Sequence, residues 1–398
     1  MKLAARAGRI VPSPTLSITA TAKAMAAQGI DVVDFASGEP DFDTPDVVKA
    51  AAELAIRTGF TKYTPASGID ELKLAIVKKL ETEQGLRYDK SQILISCGAK
   101  HTLYNIAEAL FEQGDEVIIP APFWVSYPDQ ILLNDATPVF LETKETEGYV
   151  VRRRELEAKI TPRTKAIIIN SPCNPTGATY DRACLQDIAE VAQRHDLVII
   201  SDEIYEKIVY DSVQHISIAT LGPDVAARTV IVNGVSKAYA MTGWRIGYAA
   251  GPKELIGAMA NIQSQSTSNP TSISQKAAVA ALREGESFTQ MMLKEFDRRR
   301  RTMVERLNVM PGVTCRIPTG AFYAFPNISG LFGRTPTTGK VQTATDVATY
   351  LLQEAKVALV PGEPFGSASH IRLSYATSMD TIIRGMDRME TALAKLTA

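Results

Sequence analysis

Two basic residues, Lys237 and Arg245, stand in the stretch Val232-Asn-Gly-Val-Ser-Lys-Ala-Tyr-Ala-Met-Thr-Gly-Trp-Arg-Ile-Gly247. Their neighbours are mostly small or apolar. A charge in such surroundings is costly unless it is used. A lysine there has a lowered pKa and can form a Schiff base with a carbonyl compound. An arginine nearby can grip a phosphate with its forked guanidinium. Two side chains snorkelling from strand ends would fit the same spacing. Asp202 ends the apolar run Leu197-Val-Ile-Ile-Ser-Asp202, followed by Glu-Ile-Tyr205. It stands at the C-terminal end of an expected buried strand, the edge where open α/β sheets bind ligands. A semi-buried carboxylate needs a cationic partner, and a protonated pyridine nitrogen would be one. A helix N-cap is the alternative role.

Three further motifs fall at comparable positions. Asn170-Ser-Pro-Cys-Asn174-Pro-Thr-Gly177 follows another apolar run and reads as a turn that fixes the Asn174 amide, or simply as a βα loop. Ser96-Cys-Gly98-Ala99-Lys100 lies between a strand and a helix, where free N–H groups suit a phosphate. Arg372 sits inside the apolar strand His370-Ile-Arg372-Leu-Ser, where it would pair with a protein acid or a substrate carboxylate.

Positioning these groups requires a parallel sheet. Gln92–Ile95, Glu116–Pro120, Lys165–Asn170, Leu197–Ser201 and Thr229–Asn233 read as buried strands. Trp244–Gly251 would add another. His101–Gln113, Arg182–His195 and Lys253–Gln263 have helical apolar spacing. The alternation predicts an α/β fold: a large domain with a mostly parallel central sheet flanked by helices, plus a smaller α/β domain. A charged helix over about Glu284–Asn308 reads as the connector, with Arg298–Arg301 on a solvated face. Ala321–Phe325, Val357–Val360 and His370–Ser374 then read as strands, and Met379–Leu396 as a closing helix. The division drawn is 1–44, an N-terminal segment packing with the small domain, then 45–300 and 301–398.

Bulk properties narrow the function. Of 398 residues, 43 are basic and 44 acidic, so no nucleic acid or membrane is held by overall charge. No apolar run approaches the ~18 residues of a membrane span. Cys97, Cys173, Cys184 and Cys315 form no C-x-x-C pair and read as free thiols. With no signal peptide in view, a cytoplasmic location is expected. Gly333-Arg-Thr-Pro-Thr-Thr-Gly339-Lys340 imitates a P-loop, but it has one residue too many and Val341 where Ser or Thr is needed. No G-x-G-x-x-G occurs, and the histidines lack metal-ligand spacing, so no metal is expected.

Together the motifs resemble fold-type I pyridoxal-phosphate aminotransferases, in the bacterial branch of class I aspartate aminotransferases. The markers are Gly38-Glu-Pro-Asp-Phe-Asp-Thr-Pro45, Lys62-Tyr63-Thr-Pro, Pro122-Phe-Trp124-Val-Ser-Tyr-Pro128, the Asn170–Gly177 turn, Ser201-Asp202-Glu-Ile-Tyr205, and Ser236-Lys237 through Arg245-Ile-Gly247. They cover nearly the whole chain. The resemblance implies roles around pyridoxal 5'-phosphate. Lys237 would bind the cofactor and shuttle a proton. Asp202 would pair with the ring nitrogen. Tyr205 and Asn174 would bond the phenolic oxygen, and Trp124 would stack on the ring. Arg245 and the Ala99 and Lys100 backbone would bind the phosphate. Tyr63 would reach the phosphate of a second subunit, which implies a homodimer with shared active sites. Arg372 would clamp the substrate carboxylate, helped by Gly38 and Asn174. The substrates implied are an amino acid, aspartate above all, and a keto acid, 2-oxoglutarate.

Departures and alternatives follow from the same comparison. Gly234 stands where some relatives have a phosphate-binding serine, and Cys97 and Ala99 flank Gly98. Relatives that aminate prephenate carry a lysine where this chain has Val11, before Pro12-Ser13-Pro14, so weak or no prephenate activity is expected. The competing readings are another reaction on this scaffold, such as aromatic or prephenate transamination, C–S β-lysis, decarboxylation or cyclopropane formation, and a non-catalytic cofactor-sensing regulator. A regulator needs an added DNA-binding domain, and none is expected with the pattern starting at about residue 12.

Overall fold

The computed structural model describes residues 1, 3–10, 12, 14–335 and 340–396. Val11 and Ser13, on which the prephenate expectation rests, lie outside the described residues, as do 336–339 of the P-loop imitation.

The first strand, β1 (Val33–Asp34), follows a helix at Pro14–Ala27. Seven strands then build the central sheet: β2 (Ile93–Ser96), β3 (Glu116–Ala121), β4 (Thr137–Glu142), β5 (Thr164–Asn170), β6 (Val198–Asp202), β7 (Thr229–Gly234) and β8 (Gly247–Ala250). Their order is β2-β8-β7-β6-β5-β3-β4. All neighbours are parallel except β8, which is antiparallel to both β2 and β7. β2, β3, β7 and β8 are buried along their whole length. Helices on both faces explain why these strands are continuous runs of Ile, Val and Ala rather than alternating ones. β4 closes one edge, mostly half-buried or exposed, with Pro138 in it. Proline is tolerated at an edge because the missing N–H costs little there.

The register brings the motifs to one rim. Asn170 lies opposite Asp202, and Asp202 opposite Val232, at the C-terminal ends of β5, β6 and β7. β8 runs the other way, so its first residue, Gly247, pairs with both Ser96 and Gly234 at that rim. Arg245, two residues earlier, therefore meets the Ser96–Lys100 turn.

The 23-residue helix Glu286–Asn308 leads to a second layer. There β9 (Tyr323–Ala324), β10 (Val357–Ala358), β11 (Val360–Pro361) and β12 (Ile371–Ser374) precede the helix Met379–Leu393. β11, β12 and β9 make a three-stranded antiparallel sheet, and β1 pairs in parallel with β10. The N-terminal segment is thus stitched to the C-terminal part. Val33 and Phe35 share one buried cluster with Leu373, Met386 and Met389.

One expectation is corrected here. The run Arg298–Arg301 is not a solvated face. Four consecutive helical residues turn through about 300°, so some must point inward. Arg299 is 6% exposed and Arg300 is fully buried. Arg300 donates to Asp211 at 2.7 Å and to the Pro318 carbonyl at 2.6 Å, and lies 4.4 Å from the Tyr210 ring centre. Arg299 pairs with Asp41 and Glu295. Only Arg298 and Arg301 face solvent. Among the described residues, no helix is long and apolar enough to cross a membrane.

Candidate active site

A cavity of about 420 Å³ opens at the rim where β5, β6 and β7 end. Asp202 lies at its floor, 4% exposed. Its Oδ2 accepts from the Tyr127 hydroxyl at 2.7 Å and its Oδ1 from the Ile204 N–H at 3.2 Å. Burial raises its pKa to about 6, although both hydrogen bonds and Lys237 pull the other way. A buried carboxylate kept ionisable near neutral pH is suited to a cation placed against it.

The turn after β5 is held by its own side chains. Asn170 Oδ1 accepts from the Asn174 N–H at 2.8 Å, and Asn170 Nδ2 donates to the Asp202 carbonyl at 2.9 Å. This locks the Asn174 side chain, whose Oδ1 accepts from Arg372 Nη1 at 3.0 Å. Arg372 is 2% exposed and also donates to the Ala36 carbonyl at 2.7 Å. Its guanidinium lies 4.5 Å from the Tyr323 ring centre and 5.1 Å from that of Phe365. It has no carboxylate partner within ion-pair distance among the described residues, and its Nε is buried without a hydrogen bond. A buried, uncompensated guanidinium is a binding site for an anion.

Lys237 follows β7 and reaches back to the N-terminal segment, donating to the Gly38 carbonyl at 2.6 Å. Burial lowers its pKa to about 8, with Arg372 and Arg245 adding and Glu39 and Asp202 opposing. Such an amine is a usable nucleophile and base near neutral pH. Tyr205 is buried beside it and shares a 2.8 Å hydrogen bond with the Tyr323 hydroxyl.

Another part of the cavity is built as a cradle for an anion. Gly98 caps the helix Ala99–Leu110 with φ 93° and no side chain caps that end; the Gly98 carbonyl takes the His101 and Thr102 N–H groups, which leaves the N–H groups that open the helix for an anion. Arg245, itself left-handed at φ 57°, is held by Nη1 on the Thr242 carbonyl (2.9 Å) and Nη2 on the Cys97 carbonyl (3.2 Å). A Cβ on Gly247 would come within 2.2 Å of Ala99 N, and one on Gly98 within 2.3 Å of Arg245 Nη2. Both glycines are required for the cradle to exist. Lys100 extends from the same turn, its ammonium 4.9 Å from the Trp124 ring centre. Partial burial, then Arg245, lowers its pKa.

The structure therefore brings Gly38, Ala99, Lys100, Trp124, Asn174, Asp202, Tyr205, Lys237, Arg245 and Arg372 to one cavity. Tyr63 is not among them; it is 92% exposed, outside the chain's own cavity. Gly234 does not line the cavity either: a Cβ there would meet the Ile246 carbonyl at 2.9 Å. Several lining residues escaped the sequence reading. Tyr127 lies three residues beyond Trp124, inside the same Pro122–Pro128 motif, which is the available signal. Thr15, Thr19 and Lys23 face the cavity from the helix Pro14–Ala27 at a regular spacing of four. Tyr323 carried no sequence signal beyond its place in an apolar run. Spacing also missed a group formed by Glu203, Glu206 and His215, whose ligand-type atoms lie within 4.8 Å of one another. Lys79 already pairs with Glu206 there, and His215 with Glu203.

Comparison with known proteins gives this geometry its context. The family model for aminotransferase class I and II matches residues 30–389. The chain belongs to the class I and II aminotransferases. It is 47% identical over 389 residues to the aspartate aminotransferase of Geobacillus stearothermophilus, covering 98% of each chain. It is 50% identical over 390 residues to an aspartate/prephenate aminotransferase of Cereibacter sphaeroides, again over 98% of each. The crystal structure of the Rhizobium meliloti aspartate aminotransferase superposes with a TM-score of 0.96, at 45% identity and full coverage of both chains. The expected fold, a mostly parallel sheet flanked by helices with a smaller α/β part, is borne out, and the chain is an aminotransferase.

Proposed function

We propose that this aminotransferase uses pyridoxal 5'-phosphate to move the amino group of aspartate to 2-oxoglutarate. The observation that carries the reading is the set of charged groups lining one cavity: a glycine-built anion cradle at Gly98 and Arg245, a buried carboxylate at Asp202, and an uncompensated guanidinium at Arg372. The cofactor offers a phosphate, a ring nitrogen and a carbonyl; these fit the cradle, Asp202 and Lys237. The bound cofactor would supply an electron sink for the substrate's α-carbon.

The chain's own groups do the rest. Asp202, itself steadied by Tyr127, would pair with the ring nitrogen and favour its protonated form. Tyr205 and Asn174 bond the phenolic oxygen. Trp124 covers the ring. Arg245 and the Ala99 and Lys100 N–H groups hold the phosphate. Arg372 binds the substrate α-carboxylate, with Gly38 and Asn174 beside it, and so orients the α-carbon. Lys237, whose burial leaves it neutral in an accessible pH range, would serve as the base that takes the proton from that carbon. With the cofactor as the carrier of the amino group, release of the first keto acid would precede binding of the second, and ping-pong kinetics are expected. Lys100 is the residue assigned to the distal carboxylate of the dicarboxylic substrate.

The same reading has three wider parts. Tyr63, exposed on its own chain, is assigned to the phosphate of a second subunit in a homodimer. The chain divides into 1–44 with the small domain, 45–300 binding cofactor, and 301–398. Its location is cytoplasmic. The experiment is direct: mix purified, cofactor-loaded protein with each amino acid, follow loss of the visible cofactor band, then its return with each keto acid. Aspartate and 2-oxoglutarate should be the fastest pair. No response to any amino acid would end the proposal, and a preference for phenylalanine or prephenate would end its substrate part.

A further inference from the structure

Tyr323 touches both ends of the chemistry. It pairs across β9 and β12 with Ser374, two residues from Arg372, so its side chain and that of Arg372 emerge on the same face. The Arg372 guanidinium lies 4.5 Å over its ring. Its hydroxyl is 2.8 Å from that of Tyr205. The same oxygen stands 3.1 Å from where a Cβ on Gly38 would be, and the Gly38 carbonyl is the group that holds Lys237. Tyr323 is 1% exposed and lines the cavity.

We infer that Tyr323 is a positioning residue with two separable tasks: its hydroxyl aims the Tyr205 proton at the cofactor, and its ring seats Arg372 for the substrate carboxylate. The inference rests on the cofactor reading above. Tyr205 has a single hydroxyl proton. If Tyr205 donates it to Tyr323, none remains for a phenolic oxygen in the cavity. If Tyr323 donates, the Tyr205 proton is free. The cation over the Tyr323 ring favours the second arrangement, because it makes that phenol the better donor. The directions agree: burial raises both phenols, Arg372 and the Tyr205 hydrogen bond draw Tyr323 down, and Tyr323 pushes Tyr205 further up. The ring's second task follows from geometry. Arg372 has no protein carboxylate, so the faces of Tyr323 and Phe365 hold its plane between substrates.

The test uses cofactor-loaded Tyr323→Phe and Tyr323→Leu, with Tyr205→Phe and Lys237→Ala as references. Two quantities are read: the pH midpoint of the visible cofactor band, and the dissociation constant of maleate, a dicarboxylate that cannot react. Tyr323→Phe keeps the ring, so maleate should bind within about twofold of wild type. The midpoint should rise by about half a unit, in the same direction as in Tyr205→Phe but less, because a hydrogen bond to the charged form is weakened. Tyr323→Leu should show that rise and also weaken maleate about tenfold, the worth of a desolvated cation–π contact. A wild-type midpoint in Tyr323→Phe overturns the hydroxyl's task. Wild-type maleate binding in Tyr323→Leu overturns the ring's task. If Lys237→Ala keeps the band, or Tyr205→Phe leaves the midpoint unmoved, the cofactor reading itself has failed and this inference falls with it.

Discussion

The two walls of the cavity are built in different ways. The wall assigned to the cofactor comes from adjacent strands of one sheet. Asn170, Asp202 and Val232 lie side by side by register, and the turns that follow β5 and β7 carry Asn174 and Lys237. The wall assigned to the substrate is assembled from distant pieces. Arg372 is held by a carbonyl 336 residues away and an amide 198 residues away. Gly38 comes from the N-terminal segment and Tyr323 from a separate small sheet. A sheet edge fixes groups as rigidly as its backbone hydrogen bonds; a wall made of chain ends depends on how those ends dock. Damage to the first wall should therefore strike the chemistry, and damage to the second should strike substrate binding.

The sharpest way to break that comparison is at Lys237. Lys237→Ala should abolish transamination together with the borohydride-reducible link to the cofactor. Measurable turnover by this variant would remove Lys237 from the cofactor wall. Next comes Arg372. Removing one partner of a desolvated bidentate pair costs on the order of 2–5 kcal/mol, read here in kcat/KM. Arg372→Ala should lose that much, mainly through KM for the amino acid. Arg372→Lys keeps the charge but not the fork, so it should also be poor. An Arg372→Lys enzyme with wild-type KM would show that the second wall does not read the carboxylate.

The contrast also explains what the sequence disclosed. Strands buried on both faces announce themselves as unbroken apolar runs, so β2, β3, β5, β6 and β7 were legible to within a residue or two, and with them Asp202 and Asn174. β4 was not, because an edge strand with Pro138 has neither alternation nor an apolar run. The helices Asp46–Arg57, Asp70–Gln84 and Ser272–Glu284 also went unread; they carry no catalytic motif and were passed over between motifs that did. Arg372 was found only as an odd charge in an apolar strand. Its neighbours Tyr323 and Ala36 were not found, since no local pattern links residues so far apart. Arg299 and Arg300 were misread because their partners, Asp41 and Asp211, lie in other parts of the chain.

Asp202 allows a prediction about stability as well as rate. Its pKa moves from 3.8 to about 6 on folding, with burial as the main cause. The folded state then holds the proton more tightly than the unfolded chain. Stability is fully present below about pH 3.8 and is lost as pH rises towards 6. The loss should be ~3 kcal/mol in protein free of cofactor. Lys237 has the opposite slope: lowered from 10.5 to about 8, it makes the folded state gain stability as pH rises between those values. Denaturant titrations across pH would show both. Asp202→Asn should flatten the acid limb, while its turnover falls far more than its cofactor content. An unchanged acid limb in Asp202→Asn would mean the carboxylate is not the buried acid of this wall.

The smallest effect should come from Lys100, which belongs to both walls. Its backbone turn faces the phosphate cradle and its ammonium rests near Trp124, so its side chain is free to meet a substrate's far end. It is only partly buried, with much of its side chain open to solvent, and such a charge pair is screened by water and salt. Lys100→Ala should therefore lower kcat/KM for aspartate only about tenfold, the upper range for a partly desolvated pair. Alanine and phenylalanine have no distal carboxylate and should be unaffected. Raising the salt concentration should shrink the aspartate loss, since screening already weakens the wild-type contact. Prephenate supplies the counter-test. It carries a second carboxylate, and the chain has the uncharged Val11 at the sequence position where a lysine is expected in prephenate-using relatives. Glutamate with prephenate should remain a poor pair in wild type, and Val11→Lys should improve it while leaving aspartate unchanged. Equal losses for aspartate, alanine and phenylalanine in Lys100→Ala would assign the residue to the cofactor wall alone, and the distal carboxylate would need another partner.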